Sequence, residues 1–95
     1  MNERTIIIET LVPKFPRGVR LKFDKTRSQW VILAPERLFV LDDIANAIFQ
    51  EVDGKRSVSD IIDILAEKFK APRAQILDDV VNLLQSFSDK GVLVG

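Results

Sequence analysis

Residues 29–41, QWVILAPERLFVL, constrain this chain more than any other stretch. Trp30, Val31, Ile32, Phe39 and Val40 are β-formers packed into thirteen residues. The run is too apolar to be a surface loop. Pro35 sits inside it and cannot donate to a sheet ladder. The segment therefore reads as two strands folded back across Ala34-Pro35-Glu36-Arg37, with Trp30 to Ala34 central and Arg37 to Leu41 following a tight connection.

Residues 17–24 supply a partner. Val19, Leu21 and Phe23 alternate with Arg20, Lys22 and Asp24, the period-two signature of a half-buried strand, and residues 25–28 are its turn. After Leu41 the period changes. Asp42 or Asp43 caps a helix expected to reach about Val52, with Ile44, Ala47, Ile48 and Val52 inward. Asp53-Gly54 marks a turn, and Ser57-Val58-Ser59-Asp60 has capping-box spacing. Val58, Ile61, Ile62, Leu65 and Phe69 then share one face of a second helix, with Lys68 and Lys70 complementing its C-terminal dipole. Ala71-Pro72 separates it from a third helix ending at Gly91. The expected elements are strands at about 17–24, 29–34 and 37–41 and helices at about 42–52, 57–70 and 72–90. Segregated strands and helices imply an α+β fold: an N-terminal three-stranded antiparallel sheet followed by three α-helices, a winged helix-turn-helix-like order. Residues 1–12 form an N-terminal arm expected to be partly flexible, and residues 13–95 one domain.

The third helix carries two apolar rows. Ile76, Val80, Leu83 and Phe87 lie within about 60° of one another at 100° per residue. Leu77, Val81 and Leu84 form a second row and widen the stripe to about 160°, where one core face needs about 100°. Either both rows are core, or part of the second row lines a groove beside a strand.

Composition removes most chemistry. The chain has no His, Cys or Tyr. It therefore has no thiolate metal site, no disulfide and no histidine to activate a serine. Asp42/Asp43 and Asp78/Asp79 are adjacent in helices and point to different sides. No oxygen-rich loop suits calcium, and single glycines do not make a phosphate cradle. No catalytic or metal residues, and no cofactor, are expected; the chain does not read as an enzyme. No signal peptide or apolar membrane span is legible, so the cytoplasm is the default.

Fourteen basic and fourteen acidic residues cancel overall but not locally. Residues 1–41 hold eight basic against four acidic side chains, and residues 42–95 six against ten. Lys14, Arg17, Arg20, Lys22, Lys25 and Arg27 form either a solvated strand face or a patch that steers an acidic partner. The helices that would enter a DNA groove are net acidic, which disfavours winged-helix DNA binding, the alternative reading. A three-strand meander leaves residues 37–41 at an edge without Pro or interior charge. Such an edge accepts a guest strand. Four added backbone bonds contribute roughly 2–6 kcal/mol, short of the about 8 kcal/mol of micromolar binding, so apolar pockets must add the rest. A homodimer through strand exchange is the competing use of the same edge.

Pro13-Lys14-Phe15, Arg17-Gly18-Val19-Arg20-Leu21, Trp30-Val31-Ile32-Leu33-Ala34-Pro35-Glu36-Arg37, Asp53-Gly54, Val58, Ile61, Ala71-Pro72, Ile76, Asp79-Val80 and Gly91 resemble the coenzyme PQQ (pyrroloquinoline quinone) synthesis protein D family. The resemblance spans about residues 13–94, and the Trp30 to Arg37 run is its most specific piece. Two departures are mild. Ser28-Gln29 stands where a glycine-type turn is expected, and Asp43-Ile44 precedes Ala45 where a threonine is common. The resemblance implies a stand-alone recognition element for a ribosomally made peptide. Such an element acts as a chaperone and adaptor in PQQ biosynthesis, binding the precursor peptide (protein A) and presenting it to the radical S-adenosylmethionine enzyme (protein E). It also implies that the guest adds antiparallel to Arg37, Leu38, Phe39, Val40 and Leu41, in a groove against Arg73, Ile76, Leu77, Val80, Val81 and Leu84 of the third helix.

Overall fold

The computed structural model describes residues 5–95. Three strands, β1 (Arg20–Asp24), β2 (Gln29–Ala34) and β3 (Arg37–Val40), precede three helices, α1 (Asp43–Phe49), α2 (Val58–Phe69) and α3 (Arg73–Asp89). The sheet order is β1-β2-β3, antiparallel throughout. Leu21, Ile32 and Phe39 align across it on the face that meets the helices, whereas Lys22, Val31 and Val40 align on the outer face. This matches the α+β order read from the sequence.

Turn chemistry sets the strand ends. β1 begins at Arg20 rather than residue 17 because Gly18 has a φ of 83° and Val19 N–H closes a turn onto Pro16. Asp24 Oδ1 accepts from the amides of Thr26 and Arg27, building the first hairpin turn. That turn needs a left-handed residue, and Ser28 supplies it at φ 53° where glycine would be unstrained. In the second hairpin Pro35 presets the first central position and Glu36 adopts φ 60° at the second.

Capping defines the helices. Asp42 caps α1, its Oδ1 accepting from Ala45 N–H at 2.8 Å. The helix stops at Phe49, short of the expected Val52, because Glu51 and Val52 tighten into i→i−3 bonds. Ser57 and Asp60 form a complete capping box on α2. Lys70 is not helical: it takes φ 51° as the left-handed cap, and Ala71 N–H reaches back to Ala66.

One core lies between the sheet and the helices: Ile32 with Ala45, Ile48, Phe49, Val58, Ile61, Ile62, Leu65, Ile76, Val80, Leu84 and Phe87. The C-terminal Val92 and Leu93 are buried in it, and Lys14 and Val94 exchange two backbone bonds that tie the chain ends together. Two residues expected inward are exposed. Ile44 is 61% and Phe69 51% accessible.

The arm is part of the fold from Thr5 onward; its first four residues lie outside the described ones. Ile7 is 5% accessible and joins the core. The Leu11 and Glu9 carbonyls accept from Val58 and Ser59 N–H, two first-turn donors of α2 that helix geometry leaves unpaired.

Candidate functional site

The candidate site is built on the outer edge of β3, which no strand pairs among the described residues. In an antiparallel ladder, alternate residues turn their backbone groups toward the partner strand. Leu41 N–H donates to Trp30 at 3.0 Å. With Ile32 opposite Phe39 and Ala34 opposite Arg37, that phase turns Phe39 and Arg37 toward β2. The N–H and C=O groups of Leu38 and Val40 therefore point away from the sheet. The opposite edge, β1, carries Arg20, Lys22 and Asp24, the charges that normally blunt an edge. Residues Leu38 to Val40 carry none.

β3 runs antiparallel to α3. The Arg37 guanidinium donates to the Lys90 carbonyl at 2.9 Å, satisfying a C-terminal helix acceptor. Phe39 meets Phe87 edge-on at 5.5 Å. Phe87 meets Phe49 at 4.9 Å and Phe49 meets Phe15 at 5.7 Å, a chain of rings across the core that positions Phe39. Arg37 lies over the Phe39 ring and Lys90 over the Phe87 ring, each at 5.5 Å. This end of the edge is thus basic.

Beyond β3 the chain turns into α1, and a cleft of about 200 Å³ opens between Ile44, Ala47 and Ile48 of α1 and Gln75, Ile76, Asp79 and Val80 of α3. Leu65, Phe69 and Ala71 close its back. Phe87 and Lys90 at the C-terminal end of α3 therefore stand beside β3 and Ile76 and Val80 beside α1, with Leu83 between them in the same helical row by its spacing.

This distributes the expected site residues unequally. Arg37, Leu38, Phe39 and Val40 lie along the edge, with Leu38 and Val40 exposed on the outer face. Leu41 lies beyond the strand and is buried in the core. Ile76 and Val80 line the α1–α3 cleft. Leu84 is fully buried. Arg73, Leu77 and Val81 fall on the other flank of α3. Arg73 ion-pairs with Glu9 of the arm and with Asp63 at 2.7 Å, and these bonds, that to Glu9 first, hold its guanidinium above its ordinary pKa. At the other end of that flank Gln85 Oε1 accepts from Ile7 N–H while its Nε2 donates to Thr5. Leu77 and Val81 occupy the same row between these two anchor points, so the arm runs where a second-row groove was expected. The first row faces the edge instead. Ile44, Phe69, Asp79, Phe87 and Lys90 are not among the site residues the sequence suggests. For Ile44 and Phe69 the legible signal is surplus apolar character on α1 and α2; for Asp79, Phe87 and Lys90 there is none.

The outer face of the sheet is concave as well. Val31, Leu33, Leu38 and Phe23 line a depression of about 500 Å³ rimmed by Lys22 and Lys25. Among the described residues no group of three or more acidic side chains could hold a metal ion, and no helix is long and apolar enough to cross a membrane.

Comparison with known proteins gives a consistent result. The family model for coenzyme PQQ synthesis protein D matches residues 29–93. A PqqA binding protein of Rhodopseudomonas palustris (strain BisB5) is 54% identical over 94 residues, covering 98% of this chain and 92% of that protein. The solution NMR structure of a PqqD truncation of Methylobacterium extorquens PqqCD, described as a functional and stand-alone recognition element for a ribosomally synthesized and post-translationally modified peptide, superposes with a TM-score of 0.81. It is 44% identical, over 94% of this chain and 95% of that one. The crystal structure of PqqD from Xanthomonas campestris is 41% identical with a TM-score of 0.57, over 90% and 94% of the two chains.

Proposed function

The chain belongs to the coenzyme PQQ synthesis protein D family, and from that membership we propose that it is a peptide-binding adaptor of PQQ biosynthesis that takes the precursor peptide as a fourth strand on β3. The observation that carries this reading is the free edge: Leu38 and Val40 offer two donors and two acceptors beside an apolar helical row. Relatives bear the name PqqA binding protein, which identifies the guest. Antiparallel addition is the more stable geometry per residue. It would place alternate guest side chains over Phe39 and toward α3, and the others beside Leu38 and Val40.

In this reading the adaptor does no chemistry of its own. It raises the local concentration of the peptide at a second protein, which the family resemblance gives as the radical S-adenosylmethionine enzyme. That enzyme holds the iron–sulfur cluster, and the setting is the cytoplasm. The basic outer face, with Lys22 and Lys25 around the sheet depression, is the surface we assign to it. The guest and a second copy of the chain would compete for one edge, so peptide binding and strand-exchange dimerisation exclude each other. DNA binding is disfavoured because α2 has one Lys against three acidic residues, and the single Arg of α3 is engaged by Glu9 and Asp63.

Titration of labelled protein with PqqA tests this. Amide shifts are expected at Leu38 to Val40 and along Ile76, Val80, Leu83 and Phe87, with Leu38 and Val40 amides gaining protection from exchange. Shifts confined to β1 and α2, with the Leu38 and Val40 amides still exchanging freely, would overturn strand addition.

A further inference from the structure

We infer that the cleft between α1 and α3 is a second binding subsite, which takes an apolar side chain flanked by a basic group from the part of the guest lying N-terminal to its paired strand. The inference rests on the strand-addition reading and extends it from backbone pairing to side-chain recognition.

Direction comes first. β3 runs from Arg37, beside Lys90, toward Val40 and the start of α1. An antiparallel guest runs the other way. Its C-terminal side finishes near Arg37, and its N-terminal side leaves the edge at Val40. The next surface met there is α1, which begins at Asp43, with Ile44 as its second residue. Ile44 is exposed and lines the cleft, whose α3 wall, Ile76 and Val80, belongs to the same helical row as Phe87, the ring packed on Phe39 of the edge strand.

Chemistry comes second. The cleft walls are apolar: Ile44, Ala47, Ile76 and Phe69. Its volume of about 200 Å³ accommodates one large side chain rather than a helix. Phe69 and Ile44 are both more than half exposed although each follows the spacing of a core position. They are apolar surface that the fold leaves uncovered, and a guest side chain would cover it. The polar members of the lining are Gln75 and Asp79, and Asp43 precedes Ile44 on the α1 side. Lys68, over the Phe69 ring at 5.7 Å, closes the far rim. The groove is therefore acidic where the guest's N-terminal side leaves and basic, through Arg37 and Lys90, where its C-terminal side leaves. A guest with a basic residue before the strand and an acidic residue after it matches this gradient. The reverse order places like charges together at both ends.

The test uses two synthetic peptides, full-length PqqA and PqqA lacking the residues N-terminal to its paired segment, that segment being located by intermolecular amide contacts. Ile44→Glu is expected to weaken full-length PqqA about ten-fold, the loss of one buried apolar side chain, and the shortened peptide less than two-fold. Asp79→Lys should weaken the full-length peptide by about three-fold or more. A photocrosslinker at Ile44 should capture residues on the N-terminal side of the paired segment. Capture only on the C-terminal side, no capture, or an equal effect of Ile44→Glu on both peptides would overturn the subsite. Val40→Pro separates the two levels. If it abolishes binding of both peptides while Ile44→Glu alters neither, strand addition stands and the subsite falls. If Val40→Pro leaves both unchanged, strand addition itself is overturned, and the subsite with it.

Discussion

Leu41 N–H donates to the Trp30 carbonyl at 3.0 Å, and this bond sets which residues of β3 face outward. Shifted by one residue, the ladder would expose the backbone of Phe39 and bury that of Val40. The alternation makes the consequence specific to single positions.

Val40→Pro deletes an outward donor and leaves the β2 ladder intact, since Pro is tolerated on an edge whose N–H faces solvent. The variant is expected to fold and to lose PqqA affinity at least ten-fold. Phe39→Pro deletes a donor that serves β2 and removes a ring packed on Phe87, and should cost about 3 kcal/mol or more of stability. Calorimetry for binding and urea melts for stability distinguish the two. Folded behaviour of Phe39→Pro with weak binding would reverse the assigned phase.

The arm is expected to act through the core. Ile7→Ala should destabilise the fold by about 2–4 kcal/mol, as a buried aliphatic truncation does, and speed hydrogen exchange at Val58 and Ser59. Arg73→Ala removes ion pairs to Glu9 and Asp63 that are half exposed and screened by solvent, so it should leave stability nearly unchanged beside the loss expected of Ile7→Ala. PqqA affinity measured on folded protein should be unchanged by Arg73→Ala. A ten-fold loss would return Arg73 to the binding site.

Ser28 holds a left-handed conformation that costs a serine about 1 kcal/mol. Ser28→Gly relieves that strain and adds freedom to the unfolded chain, for a net gain of about 0.5 kcal/mol in denaturant melts. A loss of stability would mean that the serine side chain contributes to the turn.

Asp24 and Asp53 are held below the usual aspartate pKa, Asp24 chiefly by the Arg27 side chain and Asp53 chiefly by the Arg56 and Lys55 amides. A carboxyl lowered by folding stabilises the native state above its unfolded pKa, and this stabilisation is lost as pH falls through the folded value. Both turns are therefore expected to loosen only below about pH 4. Carbon-detected titration of the two carboxyls should give midpoints below 3.8, the ordinary aspartate value. A midpoint at or above it would show that the turn bonds are not kept in solution.

Elements with strong local signals are legible in the sequence alone. Alternation at Val19, Leu21 and Phe23, the Pro35 turn, the Ser57-Asp60 capping box and Pro72 before α3 all act within a few residues, so the sequence displays them directly. The order of strands and helices followed, as did a third strand at the sheet edge whose residues after Arg37 carry no charge. Ile44 and Phe69 read as core because periodicity reports which face of a helix is apolar, not whether anything covers it.

The third helix shows most clearly where local reasoning ends. From the sequence either both of its apolar rows are core or part of the second row lines a groove. Assigning them requires the long-range contacts of Glu9 with Arg73, Ile7 with Gln85, and Arg37 with Lys90, which join residues 53 to 78 positions apart. The sequence by itself determined the elements, their order and the family, because propensity, capping and turn chemistry are local. Only the tertiary structure decided that the arm takes one flank of α3, that the row Ile76 to Lys90 faces the edge, and that Leu38 and Val40 carry its free hydrogen bonds, because ladder phase and helix rotation are set by packing between distant segments.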